Sequence, residues 1–211
     1  MAYTFAKTIS DSDILAGGGP AGQTTYNRRL EKAIATTDVP HVFALSYSYE
    51  LPFFRQNRWI GGWVLTGIHQ YSSGTPIQLS ANNTLPLFTG ILRPDVVNDA
   101  PRRSGTETFD PAADRWINPA AFRVPAALQF GTAARSYTDL RNPTYLNENF
   151  GLLKRFRLAE RLTLTFRAEW FNAFNRVNYN NPATVVTNTT FGTISTAKTP
   201  RELQFSLRYQ F

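Results

Sequence analysis

The last eleven residues, 201–211, read Arg-Glu-Leu-Gln-Phe-Ser-Leu-Arg-Tyr-Gln-Phe. Leu203, Phe205, Leu207, Tyr209 and Phe211 hold every second position, separated by Gln204, Ser206, Arg208 and Gln210. A β-strand turns successive side chains to opposite faces, so this stretch has one apolar and one polar face. On a helix, at about 100° per residue, the same five side chains would spread around the axis and bury nothing together. The segment is therefore predicted to be a strand, and a chain built of such strands must cover the apolar face with something.

The same period recurs along the chain. Residues 2–9 set Tyr3, Phe5 and Ile9 against Ala2, Thr4, Ala6 and Thr8, with Lys7 breaking the apolar side. In 41–51, His41, Phe43, Leu45, Tyr47, Tyr49 and Leu51 oppose Val42, Ala44, Ser46, Ser48 and Glu50, and Pro52 ends the run. Residues 60–72 place Trp63, Leu65, Gly67, His69 and Tyr71 opposite Val64, Thr66, Ile68, Gln70 and Ser72. Residues 147–158 carry Phe150, Leu152, Phe156 and Leu158 on one parity, with Lys154 out of pattern. In 162–174, Leu162, Leu164, Phe166, Ala168, Trp170 and Phe174 face away from Thr163, Thr165, Arg167 and Glu169. With 201–211 this predicts an all-β chain of about six strands.

The connections alternate in length. Those at 10–38, 74–146 and 175–200 are long, and those at 52–58 and 159–161 are short. A stretch like 74–146, rich in Pro, Asn, Asp and Gly, is foreign to an ordinary compact domain. Up-and-down outer-membrane barrels provide for it, with short periplasmic turns at one end and long extracellular loops at the other. Counting back from a periplasmic C-terminus puts both short turns in the periplasm and all three long loops outside. Aromatic residues sit near the strand ends, as interfacial girdles require: Tyr49, Trp59, Trp63, Tyr209 and Phe211 at one end, Tyr71, Trp170 and Phe174 at the other. The longest unbroken apolar run, Val42-Phe43-Ala44-Leu45, falls far short of the roughly 18 residues of a transmembrane helix. Barrel strands, however, hide their apolar residues in alternation.

Little in the chain suggests catalysis, and it is not expected to be an enzyme. His41 and His69 are the only histidines, on separate strands and on the lipid parity. Asp11 with Asp13, or Asp95 with Asp99, could offer carboxylates to calcium, but the EF-hand loop pattern is missing, and no metal or cofactor is expected. The absence of cysteine rules out a disulfide scaffold and a thiolate metal site. Gly17 to Gly22 fits G-x-G-x-x-G by letter, yet no buried strand precedes it and no helix pattern follows. A net charge of +7 invites nucleic acid, but the basic residues are scattered in pairs such as Arg28-Arg29 and Arg102-Arg103, so no nucleic-acid partner is expected. Arg167 and Glu169, two apart on one strand, are expected on the lumen wall as a structural ion pair or a contact to a plug.

Several stretches together resemble the C-terminal barrel part of TonB-dependent outer-membrane receptors, in particular the Oar-like group with a carboxypeptidase-regulatory-like domain found in Acidobacteria. They are His41 to Pro52, Gly61-Gly62-Trp63, Trp116-Ile117-Asn118-Pro119-Ala120-Ala121-Phe122, Arg167 to Asn175, and Phe191-Gly192 leading into the terminal strand. The resemblance implies an open antiparallel segment of a larger barrel, similar to 22-stranded receptors that import a ligand with energy passed through TonB. It implies that Leu203, Phe205, Leu207, Tyr209 and Phe211 carry a signal read by the barrel-assembly machinery. It further implies outer-membrane lipid, the remaining N-terminal strands and a plug as partners, with TonB engaged only through that N-terminal part. No secretory-leader pattern follows Met1, so the chain is expected to be a fragment that does not transport alone. A soluble, lectin-like β-sandwich module is the alternative, and it would bury the alternating face under a second sheet.

Overall fold

The computed structural model describes residues 1–12, 22–24, 26–53, 57, 59–86, 88, 90–97, 102–104 and 108–211. Ten strands follow in order: β1 Ala2–Phe5, β2 Ile9–Ser10, β3 Ala33–Ile34, β4 His41–Glu50, β5 Trp63–Ser72, β6 Asp95–Val96, β7 Phe122–Arg123, β8 Tyr145–Ala159, β9 Leu162–Phe171 and β10 Glu202–Gln210. Two 3-10 turns, Arg28–Glu31 and Pro119–Ala121, complete the set, with no α-helix among the described residues. Six strands form one antiparallel sheet in the order β1-β4-β5-β8-β9-β10, a meander in chain order whose edges are β1 and β10. The sheet is open. β2 pairs with β3 and β6 with β7 in two small separate ladders.

Register fixes which residues share a face. Leu207 pairs with Phe166, which pairs with Lys154, which pairs with Trp63. One step along, Ser206 pairs with Arg167, which pairs with Leu153. The apolar parity of every strand therefore falls on one side of the sheet and the polar parity on the other. Register also gathers the ends. Phe5 with His41, Ser72 with Tyr145 and Phe171 with Glu202 put all three long connections at one edge, and both short connections lie at the opposite one.

Strand limits differ from the sequence expectation where a local bond or dihedral ends the ladder. The first strand stops at Phe5 rather than residue 9, because the Thr8 amide turns to the Asp38 carboxylate and Ile9 pairs with Ile34 instead. β5 starts at Trp63 rather than residue 60, after Gly62 at φ 73°. β9 ends at Phe171 rather than residue 174, because Asn172 takes a left-handed φ of 47° and its Oδ1 accepts from the Arg176 amide. β8 begins two residues early, at Tyr145. There the Asn178 carboxamide bonds both the amide and the carbonyl of Leu146, standing in for a neighbouring strand.

The core is not under the sheet. Ile77, Leu79, Trp116, Ile117, Ala121, Phe122, Leu140, Phe191 and Ile194 form the buried apolar cluster, and none of them belongs to the six-stranded sheet. The described residues of 74–146 and 175–200, expected as irregular loops, instead pack into a cap with its own interior. Backbone bonds hold them together: Trp116 N donates to Gly192 O at 2.7 Å and Val186 N to Ser80 O at 2.9 Å. Gly192, at φ 80°, lies where any Cβ would meet the Ile117 carbonyl oxygen at 2.4 Å, so the Phe191-Gly192 step accepts no side chain.

The first long connection joins the same cap. Glu31 Oε1 accepts from the Gln23 and Thr24 amides and from Arg93 Nη2 at 3.2 Å, with both charged side chains almost fully buried. Gln23 in turn links Gly131 O and the Arg93 amide. Residues 13–21, which include most of the glycine-rich stretch and Asp13, lie outside the described residues.

The sheet's apolar face stays open. Leu203, Phe205 and Leu207 are 52%, 63% and 67% exposed, and among the described residues no second sheet lies over them. A soluble sandwich buries this set between its sheets. An apolar face of this extent is foreign to a soluble monomer. It fits a barrel wall facing lipid.

Candidate functional site

The polar face carries what chemistry the sheet has. Toward the short-turn edge it presents Arg155, Arg157, Arg167 and Arg208, placed on adjacent strands by the pairings Arg155 with Thr165 and Thr165 with Arg208. Arg167 Nη1 lies 3.4 Å from Glu169 Oε1, with the arginine half exposed. Surface pairs of this kind contribute at most about 1 kcal/mol, so the pair shapes the wall more than it stabilises it.

At the opposite edge the polar face meets the cap in a cavity of about 300 Å³. Its floor is β8, with Tyr145, Asn147 and Asn149 in alternation on one face, next to Phe171 of β9 and Glu202 of β10. Asn172, Asn178, Lys198, Thr199 and Pro200 of the last connection supply the other wall. Asn147 Nδ2 donates to Asn149 Oδ1 at 3.1 Å, and the Asn172 amide donates to the same oxygen at 2.9 Å. Lys198 Nζ sits 4.2 Å from the centre of the Tyr145 ring. Sequence reading did not single out this site, although the Asn147-x-Asn149 spacing was its visible trace: two carboxamides on the wet face of one strand.

Two charges sit on the apolar parity, and each is resolved locally. Glu148, fully buried near the cap, accepts from Tyr71 Oη at 2.9 Å and from Arg176 Nε through both oxygens, at 2.8 and 2.9 Å. Arg176 arrives from the last connection and neutralises a carboxylate that would otherwise face lipid. Lys154 is buried with its ammonium over the rings of Phe156, at 5.2 Å, and Trp63, at 5.8 Å.

The cap is stapled to the sheet's edge by Asp38 and Arg141. Arg141 Nη2 donates to Asp38 Oδ2 at 2.7 Å, its Nη1 reaches the Gly74 carbonyl, and the Thr8 amide donates to Asp38 Oδ1 at 2.6 Å. Burial works to raise the Asp38 carboxyl, but the Thr8 amide and the Arg141 guanidinium outweigh it and hold it below its ordinary value of 3.8. A depressed carboxylate contributes its full stabilisation above the unfolded-state value and loses it as pH falls through the lower folded-state value. Hydrogen exchange at the Ile77 amide, which bonds Leu140 O, is expected to accelerate as pH drops below 3.8 in the native protein, after correction for the intrinsic pH dependence of exchange. In Asp38→Asn the exchange should already be faster at neutral pH and show no such step. An unchanged acid step in that variant would assign it to another group.

The other sequence candidates are scattered. The terminal residues Leu203, Phe205, Leu207 and Tyr209 line the free edge strand β10, and Phe211 follows it, 95% exposed. His41 packs on Tyr3 and Phe5, and His69 lies between the hydroxyls of Tyr47 and Tyr71. Asp11 pairs with Arg28, and Asp95 pairs with Arg123 and accepts from the Thr132 amide, while Asp99 lies outside the described residues. Among the described residues no three His, Cys, Asp or Glu side chains come close enough to hold a metal ion.

A family model described as an outer membrane beta barrel domain matches residues 1–204. Neither a curated protein nor a solved structure matches the chain.

Proposed function

The chain belongs to the outer-membrane β-barrel domain family, and from that premise we propose that it forms part of the wall of a TonB-dependent receptor that imports a ligand across the outer membrane. The observation that carries this reading is the open six-stranded arc with lipid-type and water-type faces and a folded cap at one edge only. Bacterial single-chain barrels use eight or more strands, so the free edges of β1 and β10 call for further strands of the same barrel. An arc of this kind suits a wide barrel, which needs a plug to remain closed. The polar face, with Arg167 and Glu169, is the surface such a plug would meet. The cap, built from the three long connections, is the extracellular part, and the C-terminus with both short turns is periplasmic. No catalytic role is assigned. Outer-membrane lipid covers the apolar face, and the terminal strand with Phe211 is the part presented to the barrel-assembly machinery.

Capture of TonB by the protein assembled in its own outer membrane, together with low conductance in planar bilayers that rises reversibly in urea, is the expected behaviour. A cysteine replacing Asp110 should react with an impermeant maleimide on intact cells, and one replacing Glu160 should not. A permanently open pore that never captures TonB would reject the receptor reading. Labelling only at Glu160 would invert the orientation.

A further inference from the structure

We propose that the cavity between the polar face and the cap binds a neutral pyranose sugar. The inference rests on the reading of this face as the inside of an importing barrel and adds the class of ligand.

Hydrogen-bond logic fixes which atoms are offered. The Asn172 amide can only donate, so the Asn149 atom it meets is Oδ1, and Asn149 Nδ2 is left over as a donor. Asn147 bonds that same oxygen, so the atom it uses is Nδ2, and its Oδ1 is left over as an acceptor. Among the described residues neither leftover atom has a partner. The two residues are two apart on β8, so their side chains share a face about 7 Å apart, each carboxamide held in place by the chain of bonds it already makes. A locked donor beside a locked acceptor suits vicinal hydroxyls, each of which both gives and takes a hydrogen bond. Glu202 adds two strong acceptors at the rim.

The remaining lining selects against charged ligands. Lys198 already rests on the Tyr145 ring, and the lining holds one formal charge of each sign, Lys198 and Glu202, so the cavity has no net charge to attract an anion. Phe171 is 39% exposed at the cavity wall, a flat apolar surface of the kind that covers the C–H face of a pyranose. At about 300 Å³ the cavity lies at the small end of ligand pockets and accommodates one or two sugar rings.

Saturation-transfer NMR on the membrane-assembled protein in detergent tests this, with the methyl pyranosides of glucose, galactose and mannose as probes and glycylglycine as a zwitterionic control. Ring-proton saturation is expected for at least one pyranoside. Glu202→Gln and Phe171→Leu should weaken it about tenfold, the equivalent of one lost polar or stacking contact. Arg167→Gln should leave it unchanged. Glu202 is an exposed residue at the first position of β10, so its substitution should not disturb folding. Absence of signal with every pyranoside, signal undiminished from the unsubstituted protein in both site variants, or signal from glycylglycine alone would overturn the assignment. The measurement needs no TonB, so a protein that fails to bind sugar can still prove to be a receptor. One that binds sugar without capturing TonB would sink only the transport reading.

Discussion

Leu152→Arg is expected to destabilise the assembled barrel by about 2–4 kcal/mol, the penalty for a cation on a lipid-facing position near mid-membrane. Leu152 pairs with Ala168 on one side and Leu65 on the other, so it sits inside the sheet, four rows from the buried Glu148 at the cap end. Ser46→Arg, on the polar face of β4, should change stability by no more than a few tenths of a kcal/mol. Urea unfolding in lipid vesicles reads both. The two substitutions add the same side chain to strands of the same sheet, so their difference isolates the face. Equal effects would remove the distinction between lipid side and water side on which the membrane reading depends.

The second large effect belongs to the cap. Glu31→Ala should cost about 3–5 kcal/mol of cap stability, because it leaves the Arg93 guanidinium buried without its counter-charge. It also takes the acceptor from the Gln23 and Thr24 amides. The loss should be local. Limited proteolysis is expected to open the connections around Ile77 and Ile117 while β8 and β9 stay protected. Arg93→Met with Glu31→Leu, which removes both charges together, should recover much of the loss. Uniform weakening of cap and sheet would mean that the two fold as one unit.

The strands were legible because period-two alternation is a local signal, and it survives even where Lys154 or Glu148 interrupts the apolar parity. Their ends were less so. Nothing in the letters of 145–146 says that Asn178 will pair with Leu146 from the side. Phe174 continues the parity of β9, but Asn172 turns the chain before it. The cap could not be read, because its interior is assembled from residues far apart in the chain. Ile77, Ile117, Leu140 and Phe191 each look like an isolated apolar residue in a polar loop. The cavity was hidden for the same reason: its asparagines come from β8 and from a connection that begins only after β9.

The bonds that tie the cap together span long stretches of chain, and this sets an order of events in assembly. Gln23 reaches Gly131 across 108 residues and Asp38 reaches Arg141 across 103. In the proposed orientation these contacts are expected to close only after the strands between them have crossed the membrane. With insertion from the short-turn side, the three connections must travel through as unfolded polypeptide, and the cap closes last, on the far side. A slow step in which the cap's amides gain protection after the strands are already inserted is the kinetic signature of such a route.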